Sequence, residues 1–301
     1  MVWVKRGRIF EPSGNVDWLV SHATTPFALP LGNDFYRIYI SGRDTQNRTQ
    51  IGYFETDLSR SGSIEHLTEQ PVIPLGPLGN FDDSGVNSSW VIEHGGRLYH
   101  YYGGWHLGTT VPWYCYIGLA ISEDGGRTFE KYSPAPIVGR GRYDPCLTGT
   151  PCILIENGVW KMWYYSGVRW VLEDGRPKHF YHIKYAESND GIEWTRDGTV
   201  CIDFEPGEYA IARPSVIHEN GRYRMWFCYR GDVYRIGYAE SDDGRAWERM
   251  DDRFGLDLGP DDWDSHMIEY PHVFRRNGQL HMLYNGNRYG GTGVGLAVLD
   301  E

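Results

Sequence analysis

Two charged residues stand at the start of predicted strands and could do chemistry there. Glu269 lies in the segment MIEYPHVF, and Arg213 lies in the segment AIARPSVI. A carboxyl group in a partly closed pocket can act as a general acid, and a guanidinium can bind an anion with its planar fork. A second carboxylate normally assists such an acid, and the candidates are Asp83 in FDDSGVN, then Asp144 and Glu208. The sequence therefore points to proton transfer and anion binding near one end of these strands.

A hairpin that recurs five times must position these residues. Three copies contain Asn-Gly between alternating apolar residues, as in PCILIENGVWKMWYY, which is a strong hairpin signal. The copies begin at Pro26, Ser89, Pro151, Pro214 and Pro271. The residues just before them are Thr25, Ser88, Thr150, Arg213 and Tyr270, and one position earlier stand Thr24, Asn87, Gly149, Ala212 and Glu269. Arg213 and Glu269 are the charges that break this repeat.

The strands around each hairpin predict the architecture. A third strand follows every hairpin and a fourth follows the first four, while the N-terminal segment from Trp3 resembles the missing fourth strand of the last copy. Four-stranded sheets repeated around an axis form a propeller. We predict an all-β chain that forms one domain over residues 1–301. This domain is a five-bladed β-propeller of four-stranded antiparallel blades, with the N-terminal strand closing the last blade. A β-sandwich is the alternative.

Two sets of loops share the face of the propeller that holds the strand starts. Their aromatic and arginine side chains suit a sugar, whose apolar ring face stacks while its hydroxyl groups need polar partners. The predicted binding residues are His22, Asn87, Trp105, Trp113, Trp170, Glu208, Arg213, Arg230, Tyr284, Asn285 and Arg288. Packing between blades is the alternative role for the tryptophans, and packing or acid–base chemistry for His22.

An acidic residue also recurs ahead of each innermost strand. The set comprises Asp17, Asp82 or Asp83, Asp144, Glu208 and Asp264. A feature present in every blade is more simply explained by architecture than by catalysis. The recurrence therefore weakens the case for Asp83, Asp144 and Glu208 as catalytic residues and leaves the base unassigned.

The segment MIEYPHVFRRNGQLHMLYNGN resembles the Glu-x-Pro-His strand of family-43 glycoside hydrolases, the arabinanase and xylosidase group. Related propellers with mannoside phosphorylase, invertase and levansucrase activities share the hairpins and the turns such as SEDGGRTF, which resemble the Asp-box of sialidases. The resemblance implies that Glu269 is the general acid of a glycosidase. It supplies no base, because Thr25, Ser88, Thr150 and Arg213 stand where those enzymes usually carry Asp.

The implied reaction is cleavage of a small glycoside or oligosaccharide by water or, in a phosphorylase, by phosphate. Arg213, Arg230 and Arg288 allow for an acidic or phosphorylated sugar. A non-catalytic, carbohydrate-binding propeller with a degenerate site is the alternative function. A sialidase is a further rival, although its arginine triad and tyrosine nucleophile have no evident counterparts.

Composition narrows the class of protein. The 38 Gly, 22 Tyr and 12 Trp suit many short aromatic strands with tight turns, and a net charge of -11 opposes binding to nucleic acid or an anionic membrane. The five cysteines are widely spaced and have no CxxC motif, which favours reduced thiols in the cytoplasm. The N-terminus has no signal-peptide pattern. No zinc or EF-hand spacing is present, so we expect no metal or other cofactor.

Overall fold

A computed structural model describes residues 1–60, 63–260 and 262–300. Within them the strands form one four-stranded sheet and two eight-stranded sheets. In each larger sheet one parallel pairing, Thr49 with Gly85 or Tyr181 with Ala210, joins two antiparallel groups, so we describe five groups, numbered from the N-terminus. Group 1 comprises β2 (Ser21–Gly32), β3 (Phe35–Arg43), β4 (Thr49–Asp57) and β5 (Ile64–Leu67), and group 2 comprises β6 (Gly85–His94), β7 (Arg97–Leu107), β8 (Trp113–Ser122) and β9 (Glu130–Lys131). Group 3 comprises β10 (Leu147–Glu156), β11 (Val159–Glu173), β12 (Arg176–Ser188) and β13 (Val200–Ile202), and group 4 comprises β14 (Ala210–Glu219), β15 (Arg222–Arg230), β16 (Tyr234–Ser241) and β17 (Glu248–Arg249). The chain is thus all-β, as predicted.

Group 5 contains both ends of the chain. It comprises β18 (Glu269–Arg276), β19 (Gln279–Asn285), β20 (Val294–Asp300) and the N-terminal strand β1 (Val2–Phe10). β1 pairs antiparallel with β20, from Val2 opposite Asp300 to Phe10 opposite Val294. Helical structure is limited, in the described residues, to the 3₁₀ turns Asp17–Leu19 and Asp251–Arg253 and to the four-residue segment α1 (Asn287–Gly290). None of the described helices is long and apolar enough to cross a membrane.

The Asn-Gly hairpins form as the sequence predicts. Asn157 and Gly158 have φ values of 52° and 80°, and the corresponding residues of groups 4 and 5 have the same left-handed conformation. Two consecutive residues with positive φ define the type I′ turn, whose twist matches that of the flanking strands. The turn therefore fixes the register of each hairpin and places the start of the first strand beside the end of the second.

The first strands of the five groups lie side by side in sequence order. β2 lies beside β6, β6 beside β10, β10 beside β14, β14 beside β18, and β18 beside β2. Aromatic side chains also join consecutive groups at the opposite end of the strands. Tyr39 Oη donates to Gly126 O at 2.7 Å, Tyr101 Oη to Gly191 O at 2.7 Å, and Trp163 Nε1 to Gly244 O at 2.7 Å. The accepting glycines all belong to the Ser-x-Asp-Gly turns, which gives these turns a structural role.

Candidate active site

A cavity of about 370 Å³ lies at the end of the strand groups that is remote from the hairpin turns. Side chains from all five groups line it. They are Thr24, Thr25, Arg43, Asn47, Thr49, Asn87, Trp105, Trp113, Cys115, Thr150, Tyr165, His179, Tyr181, Ala212, Arg230, Tyr234, Tyr270 and Tyr289. Its volume is in the usual range for small-ligand sites. Among these lining residues none is Asp or Glu.

A β-bulge shapes the start of the first strand in every group. The pairing with the second strand shifts register at this point, for example between Gly149 and Cys152 and between Glu269 and His272. The bulge residues before proline have left-handed φ values: Thr25 51°, Thr150 38°, Arg213 54° and Tyr270 53°. This conformation is unfavourable for β-branched and bulky side chains, so the surrounding structure must hold it in place. Bulges of this kind re-aim side chains next to active sites.

Glu269 occupies the first position of β18, directly before such a bulge. Its side chain has no exposed surface, and neither carboxyl oxygen has a hydrogen bond of ordinary geometry within the described chain. Burial raises the pKa of Glu269 well above its usual range, while Arg230, Arg43 and the backbone N–H of Tyr289 lower the pKa by less. The protonated acid is therefore favoured, as a general acid requires. The neighbouring Tyr270 and the nearby Arg43 and Arg230 line the cavity.

Arg230 enters the cavity from the end of β15 and is surrounded by aromatic rings. Its guanidinium carbon lies 5.4 Å from the ring centroid of Tyr209, 5.5 Å from that of Tyr234 and 5.4 Å from that of Tyr289. Its Nε is buried and has no hydrogen-bonding partner in the described part of the chain. Arg230 therefore presents hydrogen-bond donors to the cavity while its faces rest on tyrosines.

An aromatic cluster forms another part of the cavity wall and its rim. The ring centroids of Trp113 and Trp170 are 5.6 Å apart, and His179 lies 5.5 Å from each of them. Burial, with smaller contributions from Arg230 and Lys178, lowers the pKa of His179 to about 4, so this ring is neutral at pH 7. Deeper in the wall Tyr165 stacks on Tyr181 at 4.7 Å. Flat apolar faces of this kind suit the face of a sugar ring.

Other sequence-predicted binding residues are also found at or near the cavity. Asn87 and Trp105 line it, and Trp105 Nε1 donates to Thr49 Oγ1 at 2.7 Å. Arg288 belongs to the turn that carries Tyr289, and both residues have left-handed φ, 60° and 58°. His22 is half-buried, and burial together with Arg43 and Arg288 lowers its pKa to about 4. His22 is therefore neutral at pH 7 and unsuited to donate a proton as a cation.

The three predicted base candidates do not line the cavity. Asp144 is fully buried and accepts hydrogen bonds from Tyr164 Oη at 3.1 Å and Arg196 Nη1 at 2.8 Å. Glu208 forms an ion pair with Arg249 at 2.6 Å. These contacts indicate structural roles for Asp144 and Glu208 rather than the role of a base.

Asp83 lies in the loop ahead of β6. One carboxyl oxygen of Asp83 accepts a hydrogen bond from the backbone N–H of Gly79 at 2.9 Å, and the other accepts from Ser84 Oγ at 2.7 Å. Asp83 thus organises its own loop, and the structure does not bring it together with Glu269.

Arg213 also differs from the sequence-based expectation. Its side chain is fully buried and donates to the backbone carbonyl groups of Ser89, through Nη1, and of Pro26, through Nη2 at 2.7 Å. Arg213 thereby connects β14 of group 4 to β6 of group 2 and β2 of group 1. The guanidinium is committed to backbone acceptors, which corrects its interpretation as a substrate-binding group.

Tyr284 and Asn285 are likewise buried in the scaffold. Tyr284 Oη donates to Asp264 Oδ2 at 2.9 Å. Asn285 Nδ2 donates to Ala23 O at 2.6 Å, and its Oδ1 accepts from the backbone N–H of Thr25 at 2.9 Å. Both amide atoms of Asn285 therefore connect group 5 to group 1 and are not available to a ligand.

No protein-family model matches the chain. Two curated relatives do: the uncharacterized proteins Rv1502 and MT1551 from two strains of Mycobacterium tuberculosis. Each is 44% identical over 302 aligned residues, which cover 100% of both chains. The chain belongs to their family.

Solved structures also match the chain and identify the known fold that it resembles. A complex of BT0996 with RGII superimposes with a TM-score of 0.77 at 16% identity, over 99% of this chain and 92% of that one. A thermostable family-43 glycoside hydrolase gives 0.70 at 18% identity, over 96% and 91%. Sucrose-6-phosphate hydrolase from Lactobacillus gasseri gives 0.65 at 15% identity, over 95% and 61%. The chain thus shares the fold of propeller glycoside hydrolases, which confirms the predicted resemblance at the level of the fold.

Sequence reasoning missed Arg43, Tyr270 and Tyr289 as lining residues of the cavity. Arg43 could have been found, because Arg43 and Arg230 stand at the same position in their second strands, counted from the turn residues Asn33 and Asn220. Tyr289 gives no such signal, since it lies in an irregular turn. Among the described residues, no cluster of three or more His, Cys, Asp or Glu could hold a metal ion.

Proposed function

We propose that the protein is a glycosidase whose five strand groups are the blades of a five-bladed propeller. The side-by-side contacts of the five first strands, from β2 through to β18 and back to β2, support the blade count. The pairing of β1 with β20 supports closure of the last blade by the N-terminus. In this arrangement the cavity lies on the propeller axis and accepts a small glycoside or the terminal sugar of an oligosaccharide.

The state of Glu269 is the observation that carries the proposal. A fully buried carboxyl group that has no hydrogen bond of ordinary geometry with any described residue is rare in a native protein and calls for an explanation. Burial favours its protonated form, and Arg43 and Arg230, which line the cavity, are close enough to affect its pKa. A carboxylic acid kept protonated beside an aromatic pocket matches the general acid of glycoside cleavage.

In the proposed reaction the Glu269 proton passes to the glycosidic oxygen as the C1–O bond breaks. A nucleophile from solution, water or inorganic phosphate, then bonds to C1, and its proton is released to solvent, from which Glu269 is reprotonated. Because the carboxyl group has no exposed surface, residues that cover it must shift before the glycosidic oxygen can reach it. No carboxylate among the described lining residues is assigned as the base.

Turnover of a panel of aryl glycosides, with and without inorganic phosphate, tests this proposal. Glu269→Gln is expected to lower turnover about 10²–10⁴-fold, the usual contribution of a general acid. The matched control is Glu248→Gln, an exposed glutamate on β17. Unchanged turnover in Glu269→Gln would exclude Glu269 as the acid. A sugar phosphate product would identify a phosphorylase, and a free sugar would identify a hydrolase.

The lack of any carboxylate among the described lining residues favours one alternative, a carbohydrate-binding propeller without catalysis. Such a protein would bind a sugar and release it unchanged. Calorimetric binding without product formation, weakened by Trp105→Ala, would support the binding module over the enzyme.

The cytoplasmic location predicted from sequence is retained as part of this proposal. All five cysteines are free, and Cys115, Cys152, Cys201 and Cys228 are buried. Free thiols are usual in reducing compartments.

A further inference from the structure

The two cavity arginines lack the partners that arginines usually have in folded proteins. The Arg230 side chain forms no hydrogen bond or ion pair with any described residue, and its guanidinium rests against the rings of three tyrosines. Arg43 donates to Asn47 Oδ1 at 3.1 Å, while its Nε is buried without a partner in the described chain. Most other buried or half-buried charges of this chain are paired, as in Arg37 with Glu55 at 2.6 Å.

The cavity also lacks a negative charge that would balance the two guanidinium groups. None of the described lining residues is acidic, and burial favours the neutral form of Glu269. Burial lowers the pKa of Arg43, which shows that its charge is partly removed from water without full compensation. Placing two cations in such a site is unfavourable unless an anion joins them.

We propose that Arg43 and Arg230 bind an anionic group carried by the substrate sugar, a carboxylate or a phosphate ester. This inference rests on the proposed function, because it names the substrate class of the same cavity. Each planar guanidinium can give two parallel hydrogen bonds to such an oxyanion. The two residues stand at the equivalent ends of β3 and β15 and both line the cavity, and in the proposed complex one anion contacts both of them.

The character of the walls indicates that the anion arrives on a sugar ring. Free phosphate is typically bound in small concavities of backbone N–H groups. The cavity instead presents the rings of Trp105, Trp113, Tyr234, Tyr270 and Tyr289. These faces favour a ring with an apolar side, and the arginines favour a charged substituent on that ring.

Calorimetric titration tests the inference without requiring turnover. The probes are D-glucuronate, D-galacturonate and glucose 6-phosphate, their neutral parents glucose and galactose, and inorganic phosphate alone. At least one anionic sugar should bind about tenfold or more tightly than its neutral parent, with an affinity that falls as salt rises. Comparison of the uronates with glucose 6-phosphate distinguishes the carboxylate from the phosphate ester.

Variants locate the binding. Arg230→Gln and Arg43→Gln should each weaken binding of the anionic sugar about tenfold or more, and Arg230→Lys should restore part of it. Arg97→Gln is the matched control, because Arg97 is exposed at the hairpin end of β7. The comparison of sugars in the unmodified protein stands even if one variant fails to fold.

Three results would overturn the inference. The first is equal affinity for neutral and anionic sugars, and the second is no binding of any anionic sugar at millimolar concentration. The third is that the arginine variants weaken the binding of inorganic phosphate but not the binding of any sugar. Failure of the proposed function gives a different result, in which an anionic sugar binds through the arginines but no aryl glycoside is cleaved. Conversely, cleavage of neutral glycosides that is unaffected by the arginine variants would support the glycosidase and exclude the anionic substrate.

Discussion

Asp144 and Glu269 are both fully buried acids near the starts of innermost strands, yet their surroundings are opposite. Asp144 accepts hydrogen bonds from Tyr164 and Arg196, whereas Glu269 has no hydrogen bond of ordinary geometry in the described chain. The contacts of Asp144 recur in other strand groups. Asp82 is bound by Tyr102 and Lys131, and Asp264 by Tyr284 and Lys5. The repeated acid therefore stabilises the fold, while Glu269, which occurs in one strand group, has no such partner among the described residues.

The largest effect on stability is expected from Asp144→Ala. The substitution leaves the buried groups of Tyr164, Arg196 and Lys184 without their shared carboxylate, so the free energy of unfolding should fall by about 3–5 kcal/mol. Urea denaturation measures this change. Asp242→Ala, which removes an exposed ion pair with Arg222, is the control and should lower stability by at most about 1 kcal/mol. If Asp144→Ala lowers the free energy of unfolding as little as the control does, the structural role assigned to Asp144 would be contradicted.

A second pair of residues sharpens the same comparison. Arg213→Ala removes hydrogen bonds to Ser89 and Pro26 and opens space among the innermost strands, and we expect a loss of about 2–4 kcal/mol. Arg230→Gln breaks no hydrogen bond or ion pair with described residues, so its loss should be about 1 kcal/mol or less. Thermal and urea unfolding would show which variant loses more stability. A larger loss for Arg230→Gln than for Arg213→Ala would contradict the assignment of Arg213 to the scaffold.

A gain in stability, opposite in sign to these losses, is expected from Glu269→Gln. Because burial raises the folded-state pKa of Glu269, the folded protein binds the proton more tightly than the unfolded chain. Its stability is therefore highest below the unfolded pKa and declines as pH rises through the folded pKa. Glutamine abolishes this decline, and the variant should be more stable than the parent near pH 8 and nearly equal to it near pH 4. A gain that is independent of pH would show that Glu269 does not titrate in this way.

The repeat made much of the fold predictable and only part of the site. Asn-Gly turns and the recurring acids identify the hairpins and the scaffold because both depend on local or periodic patterns. Arg213 was assigned to the cavity because sequence gives its position in the strand but not the direction of its side chain. That direction depends on the bulge at φ 54° and on carbonyl groups from two other blades. Tyr289 could not be predicted because its turn follows no repeat.

The acid role of Glu269 is tested most directly by the leaving group. Turnover by the parent protein and by its Glu269→Gln variant should be compared between aryl glycosides of 2,4-dinitrophenol, which leaves without a proton, and of a poorer leaving group such as phenol. A general acid predicts that the variant loses about 10²–10⁴-fold with phenol and far less with 2,4-dinitrophenol. An equal loss with both leaving groups, or no loss with either, would contradict the account.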